Sequence, residues 1–383
     1  MSEPFIEGLS NFAYAFCYEY HHLFLCSSLL ADYDKNNYCL MTYMFEYPQF
    51  VVKNKIYPQY SLYAYSEGRF TERARKMFDG VPVLFLPGNS GSHMQSRSLA
   101  SVALRKALSK GYSYHFDFFT ISFNEELSGV YGGVLYSQTQ FASACINKIL
   151  SLYKSNKYTK SVPNSVILIG HSMGGLIAKR LLANPNTMNT TSIAITLAAP
   201  LQAPVINTDP AMNDYYMQMD AEWNTFIYKD EEMKAKKLLI SFGNGPRDVL
   251  MPSGLTSSND SYINALTTAV PGVWVSPDHV CIVWCKQLVM VINRYLFSII
   301  NPATEQLADD SRVLMERARQ HFQVSNSDED NNTYTVISIK ITKYSEMSRL
   351  HYCSQTLNIL LRLIFVRSTY YTLHCIAQFV VKH

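Results

Sequence analysis

Apolar runs and helical stretches alternate along this chain from about residue 81, and that alternation sets the first expectation. "VPVLFLP" (81–87) is a short apolar run broken by "GNSGS". "SRSLASVALRKALSK" (96–110) has helical spacing and stops at Gly111, and "YHFDFFTISF" (114–123) alternates like a strand. An amphipathic stretch at 132–155 predicts a long helix, "SVILIG" a strand, and Met173 to about Asn184 a helix stopped by Pro185. "TSIAITLAAP" (191–200) and "KKLLISFG" add two strands, and "VCIVWCKQLVMVINRYLFSII" (280–300) a last helix. Continuous β-branched runs separated by helices predict a mostly parallel sheet buried on both faces. The expectation is therefore an α/β domain at 75–300, behind an aromatic-rich extension at 1–74. Beyond it, "TEQLADDSRVLMERARQHFQ" reads as a solvated helix and "VSNSDEDNNT" as an acidic linker, together covering 301–333. Residues 334–383 form a last segment that begins "YTVISIKITKY".

Composition narrows the function classes. Of 383 residues 48% are apolar and 16% charged, with 27 Tyr and 20 Phe, which suits work near lipid or on apolar ligands. A net charge of +3 has no basic cluster behind it, so nucleic acid is not an expected partner. The eight cysteines lack zinc-like spacing; Cys281 and Cys285, four apart, are expected as small buried residues on one helical face. No stretch reaches 18 uninterrupted apolar residues. The N-terminal candidate at 11–30 contains Glu19, His21 and His22 and lacks a basic start, and the C-terminal one at 357–381 is interrupted by Arg362 and Arg367. Sequons at Asn189, Asn259 and Asn331 are glycosylation sites only if the chain enters the secretory pathway.

The chemistry centres on "VILIGHSMGGLIAKR" (166–180). Gly170-x-Ser172-x-Gly174 sits between an apolar strand and a helix, the context in which a nucleophile elbow presents its serine. A serine hydroxyl is a weak nucleophile until a histidine takes its proton and an acid orients that histidine. In this fold the order is Ser, acid, His, each after a strand. Asp248, five residues past "KKLLISFG", is the expected acid, ahead of Asp260, Glu231, Glu232, Asp209, Asp214 and Asp220. His279 is the expected base, since His321, His351, His374 and His383 lie beyond the domain. Asp278 beside it is expected to cap the following helix. The oxyanion hole is expected from the backbone of Met173 and from Gly88 and Asn89, with His93 nearby. The motif thus points to a serine acyl hydrolase needing neither metal nor cofactor. The apolar stretch 262–275 reads either as an acyl-binding wall or as ordinary core.

Together, "VLFLPGNSGSHMQSRSLAS", "LIGHSMGGLIAK", "TLAAPLQAPV", "GPRDVLMPSGL" and "SPDHVCIVWCKQLV" resemble, in order, the GPI inositol-deacylase family of lipase-like α/β hydrolases, and "MTYMFEYPQF" (41–50) extends the likeness to roughly 38–320. The resemblance implies an α/β-hydrolase fold, Ser172, Asp248 and His279 as a triad, and removal of the fatty acyl chain from the inositol of GPI-anchored proteins. It further implies a lumenal catalytic domain at the endoplasmic reticulum membrane and support for export of GPI-anchored proteins. Members usually carry one N-terminal and several C-terminal spans, so this chain is expected to be a shortened member, an isoform or an incomplete gene model, with 334–383 a truncated β-rich or membrane-associated region. Two other readings stay open: another lipid esterase or thioesterase with the same triad, and an inactive hydrolase-like protein that binds lipids or cargo.

Overall fold

A computed structural model describes residues 52–53, 56–67, 78–154, 160–207 and 209–323. The expected acidic linker, the C-terminal segment at 334–383, most of the N-terminal extension, Asn331 and the stretch 41–50 lie outside the described residues.

Strands β1 (Val52–Lys53), β2 (Ser61–Ala64), β3 (Val81–Leu86), β4 (Phe116–Ser122), β5 (Ile167–His171), β6 (Ile193–Leu197), β7 (Leu238–Gly243) and β8 (Ile263–Leu266) form one sheet in the order β1-β2-β4-β3-β5-β6-β7-β8. From β4 to β8 every pairing is parallel, and β2 and β1 add antiparallel pairings at one edge. This is the mostly parallel α/β sheet predicted by the alternating pattern, in the α/β-hydrolase fold that the resemblance implies.

Side-chain alternation along each strand builds two cores. Val83 and Phe85 of β3 face helices α1 (Arg97–Lys110) and α7 (Lys286–Ser298), joined there by Ile167, Ile169, Ile195 and Ile240. Leu84 and Leu86 face α2 (Gly133–Tyr153), α3 (Met173–Ala183) and α4 (Pro210–Glu222), with Phe141, Leu176, Leu181 and Tyr215 packed against them. Strands covered on both sides read as unbroken apolar runs, which is why β3, β5, β6 and β7 were visible in the sequence.

Elsewhere the structure departs from the pattern. Helix α7 begins six residues later than expected, because Asp278 accepts bonds from Val280 N and Cys281 N and a short 3-10 turn (Cys281–Val283) intervenes. Cys281 lies in that turn and is half-buried, while Cys285 is the buried N-cap of α7, so the two thiols do not share a helical face. The stretch 262–275 divides: β8 pairs with β7, and Ile263, Val270, Val273 and Val275 are buried in the core on the α7 side, while Leu266 and Trp274 are exposed. Helix α5 (Glu231–Ala235) and the single turn α6 (Ser253–Thr256) flank β7.

The expected solvated helix after residue 300 starts instead as a hairpin, β9 (Ile300–Asn301) with β10 (Gln306–Leu307). Helix α8 (Ser311–Phe322) follows and is not solvated all round. Leu314, Ala318 and Phe322, spaced four apart, bury one stripe beside Tyr295 and Phe242. The sheet and its helices thus draw in residues on both sides of the expected 75–300 core.

Candidate active site

Parallel strands place the loops that follow them along one edge of the sheet, where α/β proteins assemble their sites. The loops after β3, β5, β7 and β8 carry Gly88 and Asn89, Ser172, Asp248 and His279 respectively.

Ser172 follows β5 directly. Its backbone is left-handed (φ 52°, ψ −125°), and it opens α3, with Ser172 N donating to Leu197 O at 2.9 Å. Glycines make this turn passable. A Cβ on Gly174 would lie 2.1 Å from Leu86 O, and one on Gly170 would lie 2.4 Å from Gly174 O. The helix N-terminus behind Ser172 favours negative charge near its Oγ.

His279 Nε2 lies 3.0 Å from Ser172 Oγ, and its Nδ1 lies 2.9 Å from Asp248 Oδ2. The Asp248 carboxylate is buried and also accepts from Asn244 Nδ2 (2.7 Å), Leu250 N (3.1 Å) and Met251 N (2.8 Å). Four N–H donors converging on one carboxylate fix its plane and aim Oδ2 at the imidazole. With Nδ1–H donated to Asp248, Nε2 is left to accept from the serine hydroxyl.

The expected oxyanion residues lie close by. Met173 is the first residue of α3, so its N–H has no intrahelical acceptor. Gly88 packs against Ser172, and a Cβ there would come 2.6 Å from Ser172 Cβ and 2.8 Å from His171 O. Asn89 is exposed, and its carboxamide oxygen accepts from Gly129 N at 2.8 Å, tying the β3 loop to the loop after β4. Ser90 N donates to Glu126 O (2.9 Å) in the same seam.

The remaining candidates fall elsewhere. Asp260 pairs with buried Lys179 at 2.6 Å and bonds Tyr228 Oη. Asp209 caps α4 and accepts from Gly132 N at 2.6 Å, while Glu231 and Glu232 sit exposed in the first turn of α5. Asp214 and Asp220 lie on α4, Asp220 at 3.7 Å from Lys179. Asp278, expected to cap the last helix, accepts instead from Val280 N and Cys281 N at the 3-10 turn, and Cys285 is the N-cap of α7. His321 lies on α8 against Tyr295, and His93 stacks on Tyr63 at 4.3 Å, with burial lowering its pKa. Asn189 and Asn259 are exposed. Among the described residues no cluster of His, Cys, Asp or Glu is arranged to hold a metal, and no helix is long and apolar enough to cross a membrane.

Two residues at the site escaped the sequence reading. Asn244, fully buried, spans Asp248 Oδ2 and Asp278 O (3.1 Å), linking Asp248 to the backbone beside His279. His171, the last residue of β5, places Nε2 at 2.8 Å from the His279 carbonyl. Burial, then the nearby His279 ring, pushes its pKa down to about 3 against the opposing pull of that hydrogen bond. Neither carries a sequence signal beyond being polar at the end of an apolar strand.

Residues 77–299 match the PGAP1-like alpha/beta domain family. The chain is 43% identical over 300 residues to the GPI inositol-deacylase of Xenopus laevis, covering 74% of this chain and 31% of that protein. It is 42% identical over 301 residues to the GPI inositol-deacylase of Rattus norvegicus, covering 75% and 32%. The chain thus spans about a third of the length of these relatives. Among solved structures, the Bacillus licheniformis lipase BlEst2 aligns at 12% identity and a TM-score of 0.40, over 61% of this chain and 96% of the lipase.

Proposed function

Since this chain belongs to the PGAP1-like alpha/beta domain family, we propose that it is a carboxylic ester hydrolase that removes the fatty acyl chain from the inositol of GPI anchors. Ser172 is the nucleophile, His279 the base and Asp248 the residue that orients His279. As Ser172 Oγ attacks the acyl carbonyl, its proton passes to His279 Nε2. Backbone N–H groups of Met173 and of Gly88 or Asn89 receive the developing oxyanion. The bond to the inositol oxygen breaks, His279 returns the proton to that oxygen, and the acyl group rests on Ser172. Water, deprotonated by His279, then releases the fatty acid.

The observation that carries this reading is the hydrogen-bonded line Asp248–His279–Ser172, with contacts of 2.9 and 3.0 Å, in a chain whose relatives bear the name GPI inositol-deacylase. Exposed apolar side chains on the surrounding loops, Leu127, Tyr131, Val249, Leu250, Trp274 and Val280, favour a lipid substrate over a polar one. GPI-anchored proteins are accordingly the lipidated substrate, and the membrane of the endoplasmic reticulum, on its lumenal side, the place of action. The physiological role is support of the export of those proteins.

The test uses cells that lack inositol deacylation. Expression of this chain is expected to make a GPI-anchored reporter sensitive to phosphatidylinositol-specific phospholipase C, and Ser172→Ala to leave it resistant. Sensitivity restored by the Ala variant would sink the nucleophile assignment. Labelling of the wild-type chain by a fluorophosphonate while the reporter stays resistant would move the same machinery to another ester.

A further inference from the structure

We propose that His171 is a positioning residue for the base, holding the His279 backbone through an Nε2–H bond to its carbonyl; the proposal rests on the assignment of Ser172 and His279 above. The carbonyl can only accept, so at 2.8 Å the His171 Nε2 must carry the hydrogen. That choice leaves Nδ1 as a bare lone pair, and it has no hydrogen-bond partner among the described residues. A buried nitrogen without a partner is unfavourable, and the neighbouring positions Ile167, Leu168 and Ile169 are apolar. A side chain needed only to fill this space would be apolar as well. The donor on the other nitrogen is what the imidazole supplies here.

The need for a clamp follows from the topology. His279 stands at the end of a long segment after β8, which passes through left-handed Gly272 (φ 76°) and Trp274 (φ 53°). No strand or helix fixes the base itself. Two consecutive carbonyls in that segment are held from the ends of β7 and β5: Asp278 O by Asn244 Nδ2 at 3.1 Å and His279 O by His171 Nε2 at 2.8 Å. His171 is also the residue that precedes the nucleophile. One side chain therefore ties the base backbone to the serine backbone, and the 3.0 Å contact between Nε2 and Oγ depends on that tie. Displacement by about 1 Å at such a contact is enough for a 10²-fold loss of rate. Because burial keeps the His171 ring neutral, the donor and its geometry persist through the neutral pH range.

Gln and Met have the length to replace His at this position, and only Gln offers a donor at the reach of Nε2. The experiment compares wild type, His171→Gln and His171→Met. It reads kcat and KM on a soluble short-chain p-nitrophenyl ester and the rate of fluorophosphonate labelling, each per folded molecule by circular dichroism. His171→Met is expected to lower kcat and the labelling rate about 10²-fold, with KM within about twofold of wild type, and His171→Gln to recover most of the loss. Wild-type rates in the Met variant, or equal losses in both variants, would overturn the proposal. Should the Met variant not fold, the Gln variant decides: a rate within about threefold of wild type supports the clamp, and a 10²-fold drop overturns it. A wild-type chain that neither turns over nor labels would overturn this proposal together with the hydrolase reading. An active wild type with an equally active Met variant would overturn this proposal alone.

Discussion

At Ser172 the backbone occupies a left-handed region that an L-residue enters at a strain of about 1–3 kcal/mol. The neighbouring strand and helix hold it there, and the strain lifts Oγ out of the sheet toward His279. Asp248 works by supplying acceptors to four N–H groups, two on each oxygen, so Asp248→Asn turns two of those contacts into donors facing donors whichever way the amide is placed. Its kcat is expected to fall about 10³–10⁴-fold with the fold intact, read by ester hydrolysis beside circular dichroism. Gly88 matters through space rather than flexibility, since an added Cβ meets Ser172 Cβ at 2.6 Å. Gly88→Ala is expected to slow fluorophosphonate labelling of Ser172 about 10²-fold. His171 also shapes the response to acid. Its pKa is about 3 when folded and 6.5 when exposed, so between those values the unfolded chain binds a proton that the folded chain refuses. Its contribution to stability is fully present above pH 6.5 and is lost as pH falls toward 3, at up to about 1.4 kcal/mol per pH unit. Urea unfolding of His171→Gln across that window should show a shallower pH slope than wild type. An identical slope would contradict the buried neutral imidazole.

Helix α3 holds Ser172 at its N-terminus and two buried cations near its C-terminus. Lys179 donates to Asp260 at 2.6 Å and lies beside Ser258, while Arg180 grips Glu222 and lies over the Tyr215 ring. Both side chains are turned inward. Their partners come from α4 and from the 258–260 loop, elements that a local pattern does not join. Removing one partner of a buried pair strands the other, so Lys179→Met is expected to destabilise the chain by about 3–5 kcal/mol by urea unfolding. Lys179→Met with Asp260→Leu should recover much of that loss, and no recovery would mean the pair is not the unit that matters. Helix α4 also shows why some elements went unseen. Its start signals are present, Asp209 as N-cap and Pro210 at the first position, but its apolar positions are mixed with Asn, Asp and Gln. Strand β8 is four residues long and includes Asn264, too short for alternation to register.

For the molecule as a whole, helix α8 completes the packing on the α7 side of the sheet. Phe322 is buried against Tyr295 and Phe242, so Phe322→Ala is expected to lower stability by about 3–5 kcal/mol, measured as a shift in the urea midpoint, without touching the site loops. What the sequence determined by itself was local: the apolar runs of β3, β5, β6 and β7, the helices α1, α2 and α3, and a serine framed by glycines at a strand-to-helix junction. These were legible because hydrogen bonding and burial impose a period within a few residues of each position. The order of Ser172, Asp248 and His279 along the chain was legible for a related reason, since a parallel sheet returns every following loop to the same edge. Tertiary structure decided the rest. It brought Nε2 of His279 to 3.0 Å from Ser172 Oγ, recruited Asn244 and His171 behind them, and turned Lys179 and Arg180 inward. Those outcomes depend on which strands become neighbours and how closely they pack, and spacing along the chain does not encode a distance between residues 107 positions apart.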